Sequence, residues 1–215
     1  AVMKLPICFA AILIFVAALW LGTSSSSASD PPNAGVLYWS GVAETAIATG
    51  RPPASSTVLA AMVHGAIYDA VAAIEGGLEP FATDVPDAPE ASADAAVATA
   101  AWKVLITRIP SQASGPGSVG ELYGTYLGNI AAGAPKDAGI EVGLKAADGM
   151  IALRTGDGFD LSPAYVQPTP GPGVFQPIPA AIPPDSSPGP TPVDVKLPGV
   201  KPFTYDSPSD YRPAA

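Results

Sequence analysis

The sequence predicts an all-α fold: an antiparallel assembly of about five helices followed by an extended, proline-rich C-terminal segment. Three observations lead there. Between positions 35 and 154 apolar residues recur every three or four places, the stripe of a helix packed on one side. The same region is rich in alanine, whereas more than half of the 26 prolines fall after residue 161. Strand-like alternation is confined to residues 193–196, where prolines hem it in.

The first helix is expected over 36–48, ending at Gly50 before Arg51-Pro52-Pro53, because proline disfavours helical geometry in the residue before it. The second starts at Ser55 or Ser56, whose hydroxyl is suited to accept an orphan backbone N–H. Its stripe is Leu59, Met62, Val63, Ala66, Ala70, Val71 and Ile74, and Gly76-Gly77 ends it. A third helix spans 92–109, with Ser92 as cap and Pro110 as stop. Alanines at 93, 95, 96, 98, 100 and 101 permit close helix approach, while Trp102, Leu105, Ile106 and Ile109 supply bulk. A fourth covers 119–132 with Leu122, Tyr123, Tyr126, Leu127 and Ile130. The fifth follows Pro135, a favourable first-turn residue, and runs to Arg154 before Thr155-Gly156-Asp157-Gly158.

The N-terminus carries an address. Lys4, the apolar run 7–21 and the serine cluster before Ala28 make a secretory signal peptide over 1–28, cleaved between Ala28 and Ser29. The run is short for a spanning helix, which needs about 20 residues, and no second stretch of spanning length is expected. A helical body over 29–160 and a proline-rich segment over 161–215 complete the organisation, in a secreted or periplasmic protein. Ala1-Val2 ahead of Met3, and an end within a proline-rich passage, suggest a piece of a longer reading frame.

Charge and cysteine content narrow the chemistry. The formal charge is −9, and removing Lys4 with the signal takes it to −10; such a balance disfavours nucleic acid and anionic membranes, which are bound through Lys and Arg. Cys8 lies within the signal, so a mature chain has no disulfide. His64 is the single histidine; without further ligands it makes no metal site, and a histidine packed between helices is expected. Tyr68 is one turn on, and Asp69, at i+5, is too far around the helix to pair with it. Asp137, Glu141, Lys145 and Asp148 fall on related faces of the fifth helix and read as a solvated face. Thr155 to Gly158 lacks the alternating ligands of a calcium loop and reads as a helix-terminating turn.

Trp39 in the opening helix, the run Val58-Leu59-Ala60-Ala61-Met62-Val63-His64-Gly65-Ala66-Ile67-Tyr68-Asp69-Ala70-Val71, and the alanine helix after Pro89-Glu90-Ala91 come in a telling order. Gly143-Leu144-Lys145-Ala146-Ala147, Leu153-Arg154 to Asp157-Gly158, and Lys201-Pro202-Phe203 to Ser207-Pro208-Ser209-Asp210-Tyr211-Arg212-Pro213 follow in turn. This succession resembles the N-terminal half of secreted vanadium-dependent haloperoxidase-like proteins, over roughly residues 36–213. The resemblance implies an all-helical fold shared with the type 2 phosphatidic acid phosphatases, and a peroxidase or acid phosphatase site binding vanadate or phosphate.

In that family the oxyanion is held by a lysine, two arginines, a Ser-Gly-His element and a further histidine, all in the C-terminal half. Fixed cations are what a trianionic group needs. This sequence has no Ser-Gly-His and no histidine beyond His64. Arg51-Pro52 and Arg212-Pro213 match the arginine-proline element only outside its context. No catalytic, cofactor or metal residue is therefore carried over, and vanadate is implied only for complete relatives. The expectation is an N-terminal helical scaffold, inactive alone, that associates through uncovered helix faces. The alternative is a stand-alone secreted interaction module whose tail, with Pro177, Pro179, Pro183 and Pro184, binds a partner.

Overall fold

The computed structural model describes residues 34–49, 53–176 and 192–211. The signal peptide, Cys8, Arg51-Pro52, the prolines at 177–184 and Arg212-Pro213 lie outside the described residues. The chain divides into two units, Ala1–Ala34 and Gly35–Ala215, and apart from Ala34 the described residues belong to the second. Among them are five α-helices: α1 (Ala34–Ala48), α2 (Pro53–Glu75), α3 (Ala93–Arg108), α4 (Val119–Gly128) and α5 (Ala134–Leu153). Short 3-10 turns occupy Pro110–Gln112, Leu197–Gly199 and Pro208–Tyr211, and no strand occurs among the described residues. The fold is all-α.

Helix ends follow their local chemistry, with two departures. Ser92 accepts the Ala95 amide at 3.3 Å and Ser118 accepts that of Glu121 at 3.2 Å, both N-caps. Glu121 answers through the Gly117 amide at 2.5 Å. The first departure is that α2 begins at Pro53, not Ser55, since proline's fixed φ suits an opening turn. Ser55 thus lies inside the helix and is itself capped. Its amide donates to Asp194 Oδ2 at 2.8 Å and its hydroxyl donates to Asp194 Oδ1, a carboxylate from 139 residues on. The second departure is that α4 stops at Gly128, short of residue 132. Lys136 Nζ, donating to the Leu127 carbonyl at 2.6 Å, satisfies that end of the helix.

The alanine-rich α3 sits at the centre, in contact with α2, α4 and α5. Ala95, Ala96, Ala98, Ala100 and Ala101 are fully buried, and α5 answers them with glycine. A Cβ built on Gly139 would lie 2.9 Å from Ala95 Cβ, and one on Gly143 would lie 2.7 Å from Thr99 Cβ. Real Cβ atoms do not come so close, so the two backbones approach as only glycine permits. The order of these contacts, Gly139 on Ala95 and Gly143 on Thr99, then Asp148 on Lys103 at 4.0 Å, makes α3 and α5 parallel. Between them in sequence the chain returns through α4.

Larger side chains fill what remains. Leu59, Met62 and Val63 of α2 join Leu105 of α3 and Met150 of α5 in one core, all inaccessible to solvent. Each such side chain contributes about 1.5–3 kcal/mol on burial. Trp39 anchors α1 and is also fully buried; its ring meets Tyr123 and Tyr126 of α4 edge-on. One expectation needs correcting here. Ala54–Glu75 is long and apolar enough to cross a membrane, although a second spanning-length stretch was not foreseen. Its apolarity has a local cause: Leu59, Met62, Val63, Ala66 and Ala70 face the core, and small alanines cover much of the rest.

Candidate functional site

His64 stands off the buried stripe of α2, at the edge that faces α1. At 3.6 residues per turn it falls about 140° around the helix from Leu59, and the side chain is exposed. The expected packing between helices is thus overturned: the buried stripe runs through positions 63 and 66–67, and the histidine borders it from outside. It lines an open groove of about 530 Å3 with Glu44 of α1 and Thr57 and Ala60 of α2. Tyr68, one turn on, donates its hydroxyl to the Glu79 carbonyl at 2.9 Å. His64 and Tyr68 are therefore not brought together on a shared partner.

Asp69 is the buried acid of α2, 1% exposed. Gly76 and Gly77, both at φ +70°, turn the chain back so that residues 81–83 pass its carboxylate. Phe81 and Ala82 donate their amides at 2.6 and 2.9 Å, and Thr83 donates at 3.1 Å. Three backbone N–H groups on one carboxylate satisfy its acceptor oxygens without a cation. Its hydrogen-bond partners are these three amides, and His64 is not among them, as the i+5 spacing leads one to expect.

A second buried polar cluster closes the C-terminal end of α5. Arg154 Nη2 lies 2.6 Å from Asp157 Oδ2, both side chains 2% exposed. Burial draws the guanidinium below its ordinary value, and the Asp157 charge works against that fall. Asp157 Oδ1 also accepts the Phe159 amide at 2.8 Å. The turn expected at residues 155–158 is present, with Gly156 at φ +71° and Gly158 at φ +92°, but its aspartate does more than terminate a helix.

That cluster receives the tail. Arg154 Nη1 donates to the Pro202 carbonyl at 3.3 Å, and Lys201 donates its amide to the Asp157 carbonyl at 2.8 Å. Phe203 lies beneath the guanidinium, 4.0 Å from its carbon to the ring centre, and beside Phe81 with centroids 6.3 Å apart. With Asp194 on Ser55, the stretch 194–203 is a strap joining the start of α2 to the end of α5. Within the hydrophobic body, the Tyr123 hydroxyl sits 2.9 Å from that of Thr99; burial pushes its pKa up, partly offset by this hydrogen bond.

The remaining charged residues considered from sequence stay apart. Asp137, Glu141, Lys145 and Asp148 are all exposed along α5, as a solvated face requires. Among the described residues no three His, Cys, Asp or Glu side chains are grouped to hold a metal ion. No family model matches this chain, and no curated protein or solved structure matches it. Sequence reasoning missed the strap, because Asp194 and Ser55 are remote in the chain. The Arg154 and Asp157 spacing of three was legible, but its burial was not.

Proposed function

We propose that this chain is the helical scaffold of a secreted vanadium-dependent haloperoxidase-like protein, inactive by itself, with oxyanion binding supplied by residues outside this sequence. One observation carries this reading: the buried charged groups of the described body are engaged in holding backbone. Asp69 fixes the loop at 81–83, and Arg154 with Asp157 fixes the strap at 201–202. A frame that positions connecting peptide is what such a scaffold has to provide. The family resemblance itself rests on the segment order from Trp39 to the Lys201-Pro202-Phe203 stretch in the sequence. Peroxide-dependent halide oxidation, or phosphate-ester hydrolysis, then belongs to the assembled site, with vanadate or phosphate bound there.

Reading the coding sequence beyond codon 215 tests this. Arginine-proline, Ser-Gly-His and Arg-His elements in frame are the expected result. A stop codon with no remnant of them would sink it and favour a stand-alone secreted module that binds a partner through its proline-rich tail. In either case the mature chain is proposed to bind neither nucleic acid nor membrane, in keeping with its acidic balance.

A further inference from the structure

The strap is tied unequally at its two ends. Residues 201–203 hang on buried groups: the Lys201 amide on the Asp157 carbonyl at 2.8 Å, and the Pro202 carbonyl on Arg154, whose side chain is 2% exposed. Phe203 adds its ring to that guanidinium and to Phe81. The other end hangs on one carboxylate. Asp194 accepts the amide of the buried Ser55 at 2.8 Å and its hydroxyl as well, and does so at φ +53°, a left-handed conformation that costs a residue with a Cβ. Between the ends, residues 195–200 bury no side chain. They are nonetheless an ordered piece: Leu197 donates its amide to the Asp194 carbonyl at 2.9 Å, Gly199 to Lys196 at 2.9 Å and Val200 to Leu197 at 3.0 Å. Those bonds are internal to the strap, so they survive when it moves.

We propose that residues 194–200 swing as one piece about the Val200–Lys201 junction and are held shut by the Asp194 clasp on Ser55. A surface segment with few buried contacts opens locally at far less cost than the whole fold, and here the cost is concentrated in one set of charge-assisted hydrogen bonds. Closed, the strap contributes Asp194, Val195 and Lys196 to the lining of a groove of about 770 Å3 that also includes Ile47, Ile109 and Leu161. Opening removes that wall and bares the first turn of α2. The strap is thus a gate on the groove, with a single carboxylate as its latch. None of this depends on the scaffold reading.

Trypsin reads the position of the strap. Beyond Arg154 the basic residues are Lys196, Lys201 and Arg212, and the last two precede proline, which blocks the protease. The Lys196–Leu197 bond is therefore the one an open strap presents, whereas a closed strap keeps Lys196 over the Phe159 ring, 4.4 Å from its centre. Under limiting trypsin the cutting rate follows the population of the open form. In the parent chain, Lys196 should be cut while Lys145 of α5 is spared. Asp194→Ala should raise cleavage at Lys196 about tenfold, the scale of a charged hydrogen bond, with Lys145 still spared. Asp194→Asn, which keeps an acceptor and tolerates left-handed backbone, should fall between. Amide exchange in Asp194→Ala should quicken at Ser55 and hold at Lys201. Equal cleavage of the parent and Asp194→Ala, loss of Lys145 together with Lys196 in the parent, or a Lys201 amide that opens with Ser55 would each overturn the hinged strap.

Discussion

Replacing Gly143 with alanine adds one methyl group where α3 and α5 are closest. Two terms oppose each other. Glycine in a helix interior is about 1 kcal/mol less favourable than alanine, so propensity alone favours the substitution. Against it, the new Cβ meets Thr99 Cβ at 2.7 Å and the Ala100 amide nitrogen at 3.0 Å, and also collides with the Ala96 carbonyl oxygen. Backbone atoms have no rotamer by which to withdraw, so the helices must separate. Overpacking of this kind costs about 1–3 kcal/mol, and the rigid neighbours place Gly143 at the upper end. The net expectation is a loss of about 2 kcal/mol, or about 4–8 °C in Tm for a domain of this size. Gly124 of α4 supplies the control, since a Cβ there meets nothing within 4 Å. Gly124→Ala should therefore gain about 0.5–1 kcal/mol. Thermal unfolding followed by circular dichroism measures both. If Gly143→Ala proves as stable as Gly124→Ala, the helices are not in the close contact described, and the glycine-on-alanine packing is wrong.

Asp157→Ala leaves Arg154 buried without its carboxylate, and should cost about 3–5 kcal/mol in urea unfolding; a loss below about 1 kcal/mol would mean the pair is solvated. Asp69→Asn replaces an acceptor of three amides with a group that carries donors of its own. A loss of about 2–4 kcal/mol is expected, with amide exchange accelerated at residues 81–83; unchanged exchange there would argue against the carboxylate cradle. Tyr123 gives a pH dependence. Burial raises its folded pKa above the ordinary tyrosine value of about 10, so its contribution is fully present below that value and is lost as pH rises through the folded pKa. Tyr123→Phe should lower stability by about 0.5–1.5 kcal/mol at neutral pH through the lost Thr99 hydrogen bond, yet lose less than the parent as pH rises above about 10. Parallel pH profiles for the two proteins would contradict this.

Much of the fold was written in local signals. Ser92 and Ser118 mark helix starts, and the 3.6-residue stripe of α2 names Leu59, Met62, Val63, Ala66 and Ala70 of its core, whereas Val71 and Ile74 are only half-buried and the buried Ile67 and Ala73 lie outside the stripe. What eluded sequence reasoning depends on distance along the chain. The parallel register of α3 and α5 is set by Gly139 and Gly143 meeting Ala95 and Thr99, and glycines in a helix do not announce their partners. Ser55 looked like a cap because it is a serine near a helix start, but Pro53 extended the helix and Asp194 took the capping role. Histidine drew attention by its chemistry, while Asp69, next to the apolar stripe and ahead of a Gly-Gly turn, held the stronger structural position. Its sequence context was readable: an acid flanking a buried face needs donors, and the turn returns them.

The most direct test of a scaffold without its own oxyanion chemistry is bromide-dependent peroxidation by the purified chain, given vanadate and hydrogen peroxide. A rate no greater than that of vanadate alone is the expected result, with Asp69→Asn and Asp157→Ala changing stability but not this rate. Robust turnover that rises in proportion to protein concentration would contradict the proposal and place a complete oxyanion site within these 215 residues.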